Sequence, residues 1–442
     1  MRILLWHGYL LRGSGSNVHT ANLARTWAAE GHEVLLLCQE RDPDALGFVD
    51  ADADFARGNR SFELAEGRCR VLRPDIETLL PVYVYDDYQG FTVKRFVDLT
   101  DVELANYTEL NVRAMVTAQR DFRPDVVIVG HEVMGPYIAR QAMHETGIPY
   151  TVKLHGSALE YAVKEQQRYA DHAHEGLLAA QKVVAGSRYM LHAALAVVGG
   201  WEQRAHVVNP GCDVEMFKPA PTHDPGKKVG FVGKLIAAKG IHHLLAALGL
   251  TTTDGLECTV VGFGGDEVAA RELAAALADG DAARIAAAAE GFPERERWLP
   301  DLDHDYLARS RAVPVTFTGR LEHDELGPFL PQLDLLVVPS IVPEAFGMVA
   351  AEAAAAGVVS LVPRHSGIAE AGAALEEAVG WPGALSFDTQ LPVPGIAEGI
   401  DRILGRSPAE LREAGSRAVA LARERWSWER VASDLLRIAS SG

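Results

Sequence analysis

The chain has 442 residues, 48% of them hydrophobic, with 42 basic against 60 acidic side chains and a formal charge of −18. That length favours two or three domains over one core, and the acidic balance argues against nucleic acid as a partner and against a surface drawn as a whole to anionic lipid. No apolar run approaches the ~20 residues that cross a bilayer, and Cys38, Cys69, Cys212 and Cys258 form no CxxC or Cys/His cluster, so a reducing cytoplasm fits and neither a zinc site nor a disulfide framework is expected.

MRILLWHG, NVHTANLARTWAAEG and HEVLLLCQ read as strand, helix and strand, the alternation of a parallel sheet with crossover helices. Polar GSGSN follows the first run without a small-residue cleavage site, so that run is a buried strand and not a signal peptide. The turn after it holds Gly13, Gly15, Ser16 and Asn17, where backbone can approach a ligand closely. GSGSNV does not complete the GxGxxG fingerprint, and a tight turn capped by Ser or Asn explains it equally well. Residues 45–112 fit the alternation poorly and are expected to be extra strands or loops. Asp-x-Asp within 50–54 has no apolar strand before it and is expected in a polar loop without metal. PDVVIVGHEV, PYTVKLHG, QKVVAGS and AHVVNPG resume the strands, with a helical stretch from about Leu159 to Leu178. His131, His155 and Arg188 follow strand ends, and alternation sends Lys153 and His155 to one side, where Lys153 and Arg188 could hold an anionic acceptor.

The turn-rich VVNPGCDVEMFKPAPTHDPGKK separates a first domain, 1–210, from a second, 211–424; residues 425–442 read as a closing amphipathic helix. VGFVGKLIAAKG ends a strand at Gly233 and supplies Lys234 and Lys239, cations able to offset a pyrophosphate or simply to face water. VVGFGGDE is a second glycine turn, containing Gly264. SIVPEAFGMVAAEAAAAG reads as the end of a strand, a loop holding Glu344, and a helix beginning near Phe346 with Glu352 about two turns along. The free N–H groups of Phe346, Gly347, Met348 and Val349 then lie between the carboxylates, a ready phosphate site. Two hydroxyl-rich groups joined by a charged linker describe a nucleotide sugar. No GxSxG or HExxH is present.

In the order of these elements the chain resembles the retaining glycosyltransferases of family 4. The likeness runs through NVHTANLARTWAAEGHEVLLL, GIPYTVKLHG, VVNPGCDVEMFKP, GKLIAAKG, VTFTGRLEHDEL, PEAFGMVAAEAAAAG with its Glu-x7-Glu pattern, and WSWERVASDLL. It implies an α/β GT-B fold: two doubly wound Rossmann-like domains facing across a cleft, with the C-terminal helix crossing back to the first. It implies an acceptor-binding first domain and a nucleotide-sugar-binding second one, with no cofactor and no metal. Glu352 would hold the ribose; Glu344, Ala345 and the amides of Phe346 to Val349 the sugar and phosphate; Lys239 the leaving diphosphate. Gly15, Gly233, Lys234, Gly264 and Leu321 complete the donor set, His155 lies beside the transferred sugar, and Ser16, Asn17, His131, Lys153 and Arg188 form the acceptor set. Lys234 stands where the family most often has arginine, and RHSG keeps only part of its glycine-rich turn near Gly367. The implied reaction moves a sugar from a nucleotide-diphosphate sugar, such as a UDP-sugar, to a sugar, sugar phosphate, natural product or lipid-linked hydroxyl, the last leaving room for peripheral membrane contact. A nucleotide-sugar 2-epimerase and a non-catalytic nucleotide-sugar binder share the architecture and are the alternatives.

Overall fold

The structure is a computed structural model in which residues 1–56, 61–63, 65–85, 88–220, 225–293 and 310–441 are described. The chain divides into two compact units, Met1–Pro210 with Trp428–Gly442, and Gly211–Ser427.

In the first unit the strands are β1 (Arg2–Trp6), β2 (Glu33–Leu37), β3 (Ala51–Phe55), β4 (Cys69–Pro74), β5 (Leu79–Val82), β6 (Thr92–Arg95), β7 (Val126–Gly130), β8 (Thr151–Lys153), β9 (Lys182–Ala185) and β10 (Ala205–Val207). Eight of them form one sheet in the order β10-β9-β8-β7-β1-β2-β4-β3, while β5 and β6 pair separately. Every pairing is parallel. Such strands are covered on both faces, which is why Ile3–Trp6, Val34–Leu37 and Val126–Val129 are continuous apolar runs at 4% exposure or less. The chain leaves β1 toward β2 on one side and returns to β7 on the other, so the seam between β1 and β7 is the topological switch point.

Residues 45–112 are not all strands and loops as the sequence suggested. A helix spans Asp101–Phe122, opened by a capping box in which the Thr100 hydroxyl accepts from the Glu103 N–H and the Glu103 carboxylate from the Thr100 N–H. Leu104, Tyr107, Leu110, Ala114 and Ala118 bury its inner face at helical spacing. The DADAD segment is edge strand β3 and not a loop, its Asp52 and Asp54 both paired with Arg73 of the adjacent β4. The helical stretch expected from Leu159 is a π-helical turn, Leu159–Val163, followed by helix Gln167–Ala179.

The last helix, Trp428–Ser440, belongs to the first unit and starts three residues later than the sequence suggested, because Ala422–Trp426 is wound as a π-helical turn of the second unit. Its Trp428, Val431, Ala432, Leu435 and Ile438 join Leu23 and Trp27 in one core, and the fully buried Trp27 indole N–H donates to the Ala432 carbonyl at 3.1 Å.

The second unit has β11 (Lys228–Val232), β12 (Glu257–Val261), β13 (Val315–Gly319), β14 (Leu335–Val337), β15 (Val359–Pro363) and β16 (Ser386–Phe387) in the order β13-β12-β11-β14-β15-β16, all parallel. Its switch point is the seam between β11 and β14. The helix expected from Phe346 spans Met348–Ala355, since Gly347 takes φ +87° and turns the chain into it.

Trp27→Phe should lower the unfolding free energy of the first unit by about 1–3 kcal/mol, from the lost indole bond and the space it leaves. Urea unfolding followed by the fluorescence of the first unit's remaining tryptophans, with those of the second unit replaced, measures this; an unchanged midpoint would show that the closing helix is not anchored through Trp27.

Candidate functional site

In the first unit the two strands that flank the switch point and the next one out each deliver a histidine at their C-terminal ends: His7 after β1, His131 after β7 and His155 just beyond β8. His19 joins them from helix Gly15–Ala29. Ring centroids lie 5.6 Å apart for His7–His131, 4.8 Å for His131–His155 and 5.3 Å for His19–His155. His7 is fully buried; its Nε2 meets the Asn17 amide oxygen at 2.8 Å and its Nδ1 the Thr20 hydroxyl at 3.1 Å. The Asn17 amide nitrogen donates to the Arg12 carbonyl at 2.6 Å, which leaves the amide oxygen to accept from His7. Nε2 therefore carries the proton of a neutral ring, and burial pulls its pKa down to about 4, against the Asn17 bond.

His131 is 1% exposed and holds φ +71°, a conformation a non-glycine residue adopts at a cost of order 1–3 kcal/mol. Neither ring nitrogen has a hydrogen-bond partner among the described residues. Burial and then His7 hold its pKa well below the usual imidazole value. His155 is half-buried, and burial followed by the neighbouring imidazoles and Lys153 lowers it in the same direction. Its turn is fixed by buried Glu132, which accepts from the N–H groups of His155 at 3.1 Å and Gly156 at 2.6 Å. Burial raises the Glu132 carboxyl in spite of these bonds.

Lys153 does not present a free cation to an acceptor, contrary to the sequence expectation. It is 3% exposed, and its ammonium donates to the Val208 carbonyl at 2.9 Å. Burial lowers its pKa to about 7, with Glu132 opposing. Arg188 is exposed as the first residue of helix Arg188–Val197, Ser16 is half-buried with its hydroxyl 3.2 Å from that of Ser14, and Gly15 is exposed at the start of its helix. The sequence reading missed His7, His19 and Glu132. A signal was present: WHG, GHE and LHG each set a histidine at a strand end.

In the second unit the loops at the C-terminal ends of the strands interlock. The Gly233 N–H bonds the Val261 carbonyl at 3.1 Å, Leu235 N–H that of Phe263 at 2.8 Å, and the Asp266 carboxylate accepts from Ala237 N–H at 2.6 Å. A Cβ on Gly264 would lie 2.3 Å from the Leu235 carbonyl oxygen, so this close backbone approach requires glycine. Lys239 closes a short turn, Ala237–Lys239, and its ammonium reaches the Glu344 carboxylate at 2.5 Å; the Ser340 hydroxyl donates to the same oxygen at 2.8 Å. The pair is accessible, with 33% and 17% of the Lys239 and Glu344 side chains exposed. The Glu344 N–H donates to the Ser366 hydroxyl at 2.9 Å and its carbonyl accepts from Gly367 N–H at 2.9 Å.

Beyond Glu344, Ala345 is half-buried and Phe346 is buried edge-on against Trp426 at 5.6 Å. Met348 and Val349 are the first residues of the following helix, whose opening N–H groups have no acceptor within it. Glu352 lies half-buried in that helix, and burial raises its pKa to about 7. Lys234 is exposed, and Leu321 is half-buried beyond β13. Sequence reasoning did not find Ser340, His365 or Ser366. Among the described residues, no group of three or more His, Cys, Asp or Glu is placed to share a metal ion, and no helix is long and apolar enough to cross a membrane.

Residues 14–211 match the family model of a glycosyl transferase 4-like domain, and residues 303–415 that of glycosyl transferases group 1. The chain is a glycosyltransferase of the GT-B type. No curated protein matches it in sequence. Among solved structures it is similar in fold to sucrose-phosphate synthase from Thermosynechococcus elongatus, at 19% identity over 99% of this chain and 98% of that one, with a TM-score of 0.62. It is similar also to Anabaena HepE in complex with UDP and glucose, at 15% identity over all of both chains and a TM-score of 0.64, and to a glycosyltransferase from Rickettsia africae, at 13% identity over 99% and 97% and a TM-score of 0.60.

The buried imidazoles give this GT-B enzyme an acid-sensitive first unit. Each has a folded pKa below that of the unfolded chain, so the unfolded state binds the extra proton and stability falls as the pH drops below about 6.5, down toward about 4 for His7. A single such histidine contributes a slope of about 1 kcal/mol per pH unit in that window. Urea midpoints between pH 7.5 and 5.5 should therefore fall less steeply in His131→Phe than in the parent; identical slopes would mean that His131 accepts its proton while folded.

Proposed function

We propose that the chain is a retaining, metal-independent transferase of family 4 that moves a sugar from a nucleotide-diphosphate sugar to an acceptor hydroxyl. Its second unit would bind the donor and its first the acceptor. The observation that carries this reading is the accessible Lys239–Glu344 pair, set at strand C-terminal ends beside the N-terminus of helix Met348–Ala355. A diphosphate there would meet the ammonium of Lys239 and the free N–H groups of the helix end, while Glu344 accepts from sugar hydroxyls. Glu352, two turns along, would accept from the ribose.

In the proposed reaction the bond from the anomeric carbon to the diphosphate oxygen breaks, and both its electrons leave with the diphosphate. The acceptor oxygen bonds the same carbon from the same face, and its proton passes to the departing phosphate. Negative charge grows on the diphosphate as the bond loosens, so fixed cations and amides stabilise the transition state more than the ground state. Cys38, Cys69, Cys212 and Cys258 are all buried as thiols outside any disulfide among the described residues, which accords with a reducing cytoplasm as the setting. The acceptor is proposed only as a hydroxyl compound.

Calorimetric titration of the metal-free protein with UDP-, GDP-, ADP- and TDP-sugars should give micromolar binding of one of them, lost in Glu352→Ala. No binding across the panel would refute the donor assignment. UDP-glucose is the first to try, since HepE is known in complex with it. Once the donor is fixed, Lys239→Ala and Glu344→Ala should each lower turnover by about 100-fold or more with the fold retained; near-normal turnover in either variant would remove that residue from the mechanism.

A further inference from the structure

β15 leads through Arg364 and His365 into helix Ser366–Val379, whose first residue, Ser366, holds φ +55°. A serine in left-handed backbone is strained where glycine would not be, and such strain directs attention to what its hydroxyl contacts. That hydroxyl stands at the centre of a relay. The His365 Nε2 faces the Ser340 carbonyl at 2.9 Å, and a carbonyl can only accept, so Nε2 carries the proton. In the neutral ring Nδ1 then accepts from the Ser366 hydroxyl, 2.9 Å away. With its proton so directed, the Ser366 oxygen presents its lone pairs to the Glu344 N–H at 2.9 Å.

The same side chains bracket Glu344 from both directions. His365 holds the carbonyl of Ser340, whose hydroxyl donates to the Glu344 carboxylate at 2.8 Å, and Ser366 holds the Glu344 backbone. We propose that His365 and Ser366 are positioning residues that fix the Glu344 carboxylate against Lys239, and that serine is kept at the strained position for this purpose. The inference rests on the reading of Glu344 as a group that binds the donor. Neither residue touches the ligand in this account; both act through Glu344. Placement to within a fraction of an ångström governs rate in such sites, so the effect is expected in turnover more than in affinity for the nucleotide.

Ser366→Gly separates this role from a merely structural one, because glycine relieves the strain while deleting the hydroxyl. UDP release from UDP-glucose, UDP affinity by calorimetry and thermal midpoint are measured for the parent, Ser366→Gly, His365→Phe, His365→Gln and Glu344→Ala. Ser366→Gly should lower kcat about tenfold with an equal or higher thermal midpoint and unchanged UDP affinity. His365→Phe should do likewise, and His365→Gln, whose amide can both donate and accept, should recover part of the loss. Full turnover in Ser366→Gly beside an inactive Glu344→Ala overturns the inference and leaves the reading of Glu344 intact. Full turnover in Glu344→Ala overturns that reading and this inference with it. A loss of turnover that follows a fall in thermal midpoint assigns the pair to folding and also overturns it.

Discussion

A parallel strand must hand its chain on at the same end as its neighbours, and this constraint of direction gathers every candidate group described here. In each unit the strands on either side of a switch point release their loops outward at one edge of the sheet, so residues far apart in sequence arrive together without any local signal that they should. Lys239 follows β11 and Glu344 follows β14, strands that are adjacent in the sheet although 105 residues separate the two side chains. His7 and His131 meet for the same reason across β1 and β7. Close approach of these loops demands glycine where backbone meets backbone: a Cβ on Gly240 would lie 1.9 Å from the Pro339 carbonyl oxygen, and Gly240 is the residue that follows Lys239. The cation is thus held by a turn that cannot drift without breaking contact with the loop carrying Glu344.

The two units solve the problem of polar groups at a strand end differently. The second keeps Lys239 and Glu344 paired and partly wet, which lets that ion pair exchange partners at modest cost, since neither of the two charges has been carried into a dry interior; Glu352 alone of its candidate carboxylates is raised by burial. The first buries its groups and neutralises them instead. His7 and His131 are pushed toward the uncharged form, Glu132 is raised, and Lys153 is lowered to about 7 with its ammonium engaged by a carbonyl. Neutral imidazoles each offer one donor and one acceptor, a chemistry suited to hydroxyl groups more than to anions.

How much of this was legible in the sequence follows from what each feature depends on. Buried parallel strands are continuous apolar runs, so MRILLW, HEVLLL, PDVVIV and LDLLVV were readable as strands. Helix Asp101–Phe122 was obscured because its polar face carries much of its first half and its apolar positions appear only at spacings of three and four. Strand alternation could place Lys153 on a face of the sheet, but could not reveal that the Val208 carbonyl, 55 residues on, would be there to engage it. Lys239 and Glu344 could be singled out because each follows a strand; their contact could not, because strand order is a property of the sheet. Ser366 was missed for a further reason: nothing in the letters RHSG announces a positive φ at serine.

The two carboxylates of PEAFGMVAAE pose an electrostatic difficulty for any diphosphate ligand in a chain of formal charge −18. Glu344 is already matched by Lys239 at 2.5 Å, so the pair presents little net charge. Glu352, raised by burial to about 7, gives up part of its charge at neutral pH unless hydroxyl groups arrive to stabilise the anion. Positive charge also stands at that edge in the exposed Lys234 after β11 and in the N-terminal end of the Met348–Ala355 helix. On the proposed reading the ribose and the sugar supply the missing hydrogen bonds to the carboxylates while the phosphates take the ammonium and the helix end. Each part of the ligand then relieves an imbalance that the folded unit carries without it, and a bare diphosphate, lacking the hydroxyls, would bind less well than the whole donor.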